Sequence, residues 1–425
     1  MFKAKTITAV ALLLAILSLI AVAGFGSAKA KTGNGNKPMI AINKAQGQGG
    51  GVTVVLPSSE SVASPSSKRL KIGISNGNSL MWCSDQELAA ALDDAVTLGV
   101  GWVRLDLGWN DIQPDNAYTY DWSKFDKIVD AAQARGLSLL PIISYTPEWA
   151  RPSGGYSAKY APADPKLFAA FAAAAAKRYA PKGIHAWEIW NEPNISAFWQ
   201  PAPSPSNYAK LLSLTAAAIR SSDPQAFIVM GGLASCDTVD GNISQLDFLT
   251  KVSALGANKL VDAIAYHPYS YPVLASNQIE WNAWSKISSN TSSMRSVLTK
   301  YGTPDMPIWL TEYGAPTNGP GVGATITDNK LSSSPDHVDE AYQALMATDS
   351  VSAALATPGV SSLFWYTNRD LGTDTSTIEN FFGLRRANGT PKPAFYALRD
   401  AVGTMNASYD AGSSATAIHY DPAGD

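Results

Sequence analysis

The sequence predicts a (β/α)8 barrel (TIM barrel), on three observations. Eight short apolar runs of strand character each lead through a turn into a stretch of helical periodicity. The alternation is unbroken over about 335 residues, and uninterrupted βα alternation implies a parallel sheet. No nucleotide-type glycine loop follows the first strand, as a doubly wound open sheet would want. Eight such units close a ring with loop insertions.

In chain order, the run Leu70–Ser75 leads to a helix over 85–98, Gly101–Leu107 to one over 122–135, and Leu137–Tyr145 to one over 165–179. His185–Trp190 leads to 205–220, Ala226–Gly232 to 244–255, and Val261–His267 to 279–300. Pro307–Tyr313 leads to 338–355 and Ser361–Thr367 to 393–402. The pair Asp164-Pro165 supplies an N-cap and a proline at the first helical position. In that helix Leu167, Phe171 and Ala174 recur at helical spacing and predict the stripe laid on the barrel.

Outside the barrel, residues 1–30 read as a signal peptide. Lys3 and Lys5 precede the uncharged run Ile7–Ala23, and Ala28-Lys29-Ala30 is a cleavage site. Kept uncleaved, the same run approaches the length of a membrane anchor. Residues 31–68 are rich in Gly, Ser, Asn, Lys and Pro, a flexible linker. The barrel occupies 69–405, and 406–425 is a polar tail without periodicity. These features predict a secreted or cell-surface monomer with no stable membrane insertion once the signal is cleaved. A net charge of -3 gives no footprint for nucleic acid. The 12 tryptophans suit stacking on sugar rings. Cys83 and Cys236 follow strands one and five on opposite sides of the ring, and whether they pair is left open by the sequence.

Reactive groups of a parallel barrel stand at the C-terminal ends of its strands. Those exits carry Arg104 and Asp106 on strand two, Tyr145 and then Trp149 on strand three, and Asn191 and Glu192 on strand four. Strand six offers His267 and Tyr269, strand seven Glu312 and Tyr313, and strand eight Trp365, then Asn368 and Arg369. Two carboxyls facing each other across the mouth are what glycoside cleavage needs, one protonated to release the leaving oxygen and one ionised. Trp190 and Pro193 beside Glu192 predict an apolar setting that keeps it protonated. Arg104 would hold Glu312 ionised. Glu188, further down the strand than Glu192, reads as a buried structural acid.

Two other signals are weaker. Gly73–Gly77 matches G-x-S-x-G, but a polar loop rather than a sharp strand-to-helix turn follows Ser75. The four histidines show no paired ligand spacing, so neither a metal nor another cofactor is expected. The Gly- and Ser-rich segment 314–337 is too long for a minimal βα loop and predicts a mobile flap over one end of the cleft.

"WNEPN" after strand four and "LTEYG" after strand seven resemble the clan A glycoside hydrolases, and most closely bacterial family 39-like, cellulase-like members. "YTPEWARPSG", "AYHPYSYP" and "NFFGLRRANGTPKPAFYAL" extend the resemblance over nearly all of the barrel. It implies Glu192 as acid/base and Glu312 as nucleophile. It further implies Asn191 on the sugar 2-hydroxyl, His267 and Tyr269 orienting the nucleophile or binding hydroxyls, and Trp365 as the floor under the reacting ring. Trp149 and Trp199 would be outer stacking platforms. Family 39 xylosidases carry an additional β-sandwich for which this chain leaves little length, which argues against exo-acting xylosidase activity. The sequence thus predicts an exported retaining β-glycosidase acting on a polysaccharide or oligosaccharide; the alternative is a catalytically silent barrel that binds cell-wall glycan.

Overall fold

The computed structural model describes residues 69–289, 291–325 and 336–415. The expected signal peptide and linker, and the last ten residues of the expected tail, lie outside them. Eight parallel strands form a closed barrel in which each strand pairs with its sequence neighbours and the eighth closes on the first. The strands are Lys71–Ser75, Trp102–Gly108, Ser138–Ser144, Ala186–Asn191, Phe227–Ala234, Ala263–His267, Ile308–Tyr313 and Val360–Tyr366. All eight lie where apolar content and β-propensity placed them. Among the described residues no helix is long and apolar enough to cross a membrane.

Side-chain alternation divides the barrel into layers. Leu140, Ala186, Val229, Ala263, Ala265, Trp309 and Phe364 fill the lower interior. Gly73 makes room there, since a Cβ would meet the Phe364 ring at 2.4 Å. The alternate residues face outward into the helix layer, among them Leu105, Ile143, Trp187, Ile189, Leu310 and Trp365. The helix Pro165–Tyr179 begins as expected, with the Asp164 carboxylate accepting from Lys166 N at 2.9 Å and Pro165 at its first position. Its buried stripe is Phe168, Phe171, Ala172, Ala175, Ala176 and Tyr179. The expected stripe shared only Phe171, because Leu167 turns to solvent.

Two helices differ from expectation. In place of a helix over 279–300 there is a long loop with a short 3-10 turn at Ala283–Lys286 and an α-helix only over Met294–Lys300. Asn282 caps the turn and Ser293 caps the helix in a reciprocal box with Ser296, so local side-chain bonds outcompete a continuous helix. The last helix runs over Pro393–Ala415, so the supposed tail is helical well past Asn406. Val402, Met405 and Tyr409 continue its inner face, the Tyr409 hydroxyl accepts from Leu70 N at 3.1 Å, and Arg69 donates to Asn406 at 2.8 Å.

The two cysteines are unpaired: the Cys83 thiol donates to Leu80 O and the Cys236 thiol to Ile243 O. The described ends of the expected flap are tied down, Thr317 N to Phe381 O and Val338 N to Pro316 O, and Gly323–Ala324 pairs with His337–Val338. Residues 326–335, its centre, lie outside the described residues.

Barrel closure is reinforced behind strands one and eight. Asp94, on the helix Asp85–Thr97, accepts two bonds from Arg385 at 2.6 and 2.5 Å and one from Asn368 at 3.2 Å. Replacing Asp94 with Ala leaves a largely buried guanidinium without its anion. The variant is expected to lose about 3 kcal/mol of stability, read by urea unfolding; a loss within the error of that fit would show that the tie contributes nothing.

Candidate active site

Above the apolar plug lies a layer of buried charge centred on Arg104. Its Nε and Nη2 donate to the two oxygens of Glu188 at 2.7 and 2.9 Å. Nη2 also donates to Asn191 Oδ1 at 2.9 Å, and Nη1 to Ser75 Oγ at 2.9 Å and Glu312 Oε1 at 2.6 Å. These contacts use all five N–H groups of the guanidinium. Glu188 is therefore the structural acid expected of it, and Gly232 N supplies a further donor to it at 2.9 Å. Ser75, fully buried beneath Arg104, cannot serve as an exposed hydrolase nucleophile.

The backbone leaves regular strand geometry at several positions of the barrel mouth. In strand four, Ala186 and Glu188 face inward and Trp187 and Ile189 outward. Trp190 then takes φ 71 and packs outward against Phe168 and Trp199, which returns Asn191 to the interior. Glu192 takes φ 44 and points into the mouth. Positive φ is unfavourable for such side chains and collects at functional sites. In strand seven a register shift against strand eight lets both Thr311 and Glu312 face inward before Tyr313 turns out. A register shift in strand five falls at Gly231-Gly232. A Cβ on Gly232 would lie 2.1 Å from His267 Nε2, so the histidine requires glycine there.

The result brings Glu192, His267 and Glu312 together, each offering an atom within 4.8 Å of the others. His267 Nδ1 is 2.8 Å from Glu192 Oε1 and 3.6 Å from Glu312 Oε2. On its other side Nε2 meets Thr311 Oγ1 at 3.0 Å, and that hydroxyl donates to Glu188 Oε1 at 3.4 Å. Nε2 also lies 3.4 Å from Arg104 Nη2, so that nitrogen has a partner in either tautomer, and one hydrogen lies between Nδ1 and Glu192. Glu192 thus faces a histidine rather than the apolar wall expected from Trp190, which has turned away. The three groups could in principle offer ligands to a cation, but Glu312 is already held by Arg104 and by the Tyr269 hydroxyl at 2.9 Å. A fixed guanidinium beside the shared carboxylate opposes a second cation.

Burial alone would push the Glu312 carboxyl up. His267 and Arg104, with direct bonds from Arg104 and Tyr269, outweigh it and hold the carboxyl below the ordinary glutamate value. Asp106 behaves oppositely: burial pushes it up to about 6, against the pull of Lys159 and Arg104. Burial also lowers Lys159 to about 8 despite Asp106, Glu192 and Glu312 nearby.

Of the remaining expected residues, Tyr269 reaches the site through Glu312, and the amide N–H groups of Asn191 have no partner among the described residues. Trp149 is half-buried, edge-on to Trp109 with its indole N–H donated to Gln113 O at 2.8 Å. Trp199 is not an outer platform. It is 1 % exposed, wedged between Trp190 and Tyr208. Trp365 is not the floor either: at 1 % exposure it faces outward against Tyr313. Alternation after the inward Phe364 gives the inner position to Tyr366, whose ring packs on Phe382 at 5.5 Å and which feels Glu312, Asp106 and Glu192. Counting parity from Phe364 finds Tyr366; choosing the largest aromatic at the exit does not. Lys159 was also missed, because it sits mid-loop with no strand period to flag it.

Residues 66–368 match the family described as Cellulase (glycosyl hydrolase family 5), and the chain belongs to that family. The family 39 likeness read from the motifs also recurs among its relatives. A beta-xylosidase of Geobacillus stearothermophilus is 25% identical over 239 residues, covering 52% of this chain and 42% of that protein. This chain therefore spans less than half the length of that relative. A family 39 glycoside hydrolase from Bacteroides cellulosilyticus WH2 superposes with a TM-score of 0.61 at 20% identity, covering 79% of this chain and 64% of the other. A GH39 beta-xylosidase from Caulobacter crescentus gives 0.57 at 20% identity, with 80% and 72% covered. At such identities the structural likeness speaks for the fold alone.

Arg104→Met would strand Glu188, fully buried, without its cation. The expected cost is about 3–5 kcal/mol, measured by denaturant unfolding, with Gly232→Ala as the contrasting variant that disturbs His267 but leaves the ion pair. A stable Arg104→Met protein would show that the pair is dispensable to the fold.

Proposed function

We propose that this chain is a retaining β-glycosidase in which Glu312 is the nucleophile and Glu192 the acid/base. The observation that carries the reading is the approach of one oxygen of each carboxylate to within 4.8 Å of the other at the exits of strands four and seven. Retaining enzymes hold their pair about 5–5.5 Å apart, whereas inverting ones need room for a water, about 6.5–9.5 Å. Glu312 is mostly buried and held ionised by Arg104, as a nucleophile must be. In the first step a Glu312 oxygen bonds to the anomeric carbon while the carbon–oxygen bond to the leaving group breaks. The proton shared by His267 and Glu192 passes through Glu192 to the departing oxygen. In the second step Glu192 takes a proton from water, the water oxygen bonds to the anomeric carbon, and Glu312 departs ionised. The amide N–H groups of Asn191 are available to the sugar beside the reacting carbon.

The substrate is a β-linked poly- or oligosaccharide, supported by family membership and by the names of relatives that act on xylosides. Action outside the cytoplasm is supported by the apolar run Ile7–Ala23 behind Lys3 and Lys5. The barrel works as a monomer without a cofactor.

The stereochemistry of the first-formed product tests the mechanism. Proton NMR of a β-glycoside digest should show the β-anomer first; initial α-product would mean inversion. Glu192→Gln should lower kcat/KM about 10²–10⁴-fold on substrates with poor leaving groups and much less on activated aryl glycosides, and an equal loss on both would remove Glu192 from the acid role. The acid limb of kcat/KM reports the free enzyme's base. Because the Glu312 carboxyl lies below its ordinary value, activity should persist as pH falls to the ordinary glutamate range and be lost only beneath it. An acid limb above that range would contradict Glu312 as the ionised partner.

A further inference from the structure

Strand two sends two charged side chains into the barrel, Arg104 and, one inward position nearer the rim, Asp106. Every N–H of Arg104 is bonded, but the Asp106 carboxylate accepts no hydrogen bond from any described protein group, although the residue is only 7 % exposed. Buried carboxylates without donors are costly and rare, and one retained at a cleft calls for donors from outside the protein. Its place one inward position above Arg104 sets it at the mouth, with Lys159, Arg104 and Glu312 as charged neighbours.

Lys159 is the other unspent group on this side. Its ammonium lies 3.8 Å from the centre of the Tyr145 ring and 4.1 Å from that of Phe198, held by two aromatic faces. Tyr145 takes φ 66 at the exit of strand three to present its ring there. No carboxylate lies within ion-pair distance of the ammonium among the described residues, yet it feels Asp106, Glu192 and Glu312. Asp106 and Lys159 thus face the cleft from strand two and from the loop after strand three, opposite Tyr269 beyond strand six.

We propose that Asp106 and Lys159 together read the sugar ring bound between Glu192 and Glu312: Asp106 accepts from two neighbouring hydroxyls of an uncharged pyranoside, and Lys159 donates to one of them. A carboxylate offers two acceptor oxygens side by side, the arrangement adjacent ring hydroxyls present, and an ammonium only donates. An uncharged ring is required because Glu312 and Asp106 outnumber Lys159, the cation at this site that no buried acid matches among the described residues. A uronate carboxylate would meet repulsion. This inference rests on the glycosidase reading and adds the class of sugar that it takes.

The test compares Asp106→Asn and Lys159→Met with the parent protein in thermal unfolding, in kcat/KM on 4-nitrophenyl β-xyloside, β-glucoside, β-mannoside and β-glucuronide, and on monodeoxy forms of the best of these. Asp106→Asn should melt at or above the parent temperature, since an unpaired buried charge has gone, while kcat/KM falls about 100-fold. Removing the hydroxyl that Asp106 reads should cost the parent heavily and the variant little. The glucuronide should not be cleaved. Activity within twofold of the parent, undiminished discrimination against every deoxy sugar, or stability and activity falling together would overturn the assignment, as would efficient glucuronide cleavage. Calorimetric binding of the matching disaccharides to Glu312→Ala, with and without Asp106→Asn, separates the two readings. Binding by Glu312→Ala that Asp106→Asn weakens sustains the sugar reader even if the parent cleaves nothing, which would refute only the glycosidase. Binding that Asp106→Asn leaves unchanged, or no binding at all, refutes the reader.

Discussion

One buried guanidinium organises the mouth of this barrel. Arg104 joins a structural acid, Glu188, to the proposed nucleophile, Glu312, and fixes Asn191 and Ser75 in the same plane. Two carboxylates so close to the interior could not both remain charged without it. Because its planar fork is saturated, Glu312 is held in one orientation before any ligand arrives, with Tyr269 on its second oxygen. Lysine, a point charge with three donors, could not make the same five contacts.

The layers below and above explain why such a group is tolerated. The plug of Trp309, Phe364 and their neighbours closes the barrel beneath it, with Trp309 stacked on Phe227 at 5.2 Å. That packing supplies the rigidity against which strained backbone can be held. Trp190, Glu192 and Tyr145 all adopt left-handed conformations at the exits of strands three and four, and bulges break strands five and seven. Each departure serves the same end: it turns a side chain that regular alternation would send outward into the mouth, or returns a large ring to the helix layer. The left-handed residues of the strand exits stand where the chemistry is proposed, as expected when the surrounding fold over-determines them, while a further register shift falls at Val360–Ser362 at the start of strand eight.

Much of this was legible in the sequence. Strand–helix alternation gave the barrel, and position at strand exits gave Arg104, Asn191, Glu192, His267, Tyr269 and Glu312, all of which the fold assembles in one network. What escaped depended on tertiary geometry. Trp365 and Tyr366 are adjacent, and only the inward placement of Phe364 decides which of them meets the cleft. Trp199 has the size of a sugar platform, but its loop folds back to complete the core around Trp190. The helix expected over 279–300 gave way to Ser and Asn caps, and the C-terminal helix outran its apparent end because Tyr409 docks on Leu70. Lys159 could be recognised only once the loop after strand three had laid it between Tyr145 and Phe198.

The assignment of Glu312 as the atom donor to the anomeric carbon is open to direct observation. Incubation with 2,4-dinitrophenyl 2-deoxy-2-fluoro-β-glycosides, in which the fluorine slows release of a covalent intermediate, followed by peptide mass spectrometry, locates any trapped sugar. One sugar per protein is expected, on the peptide carrying Glu312, and none on a Glu312→Gln variant. A label carried by another residue, or release of dinitrophenol with steady turnover of the α-product and no trapped ester, would contradict it.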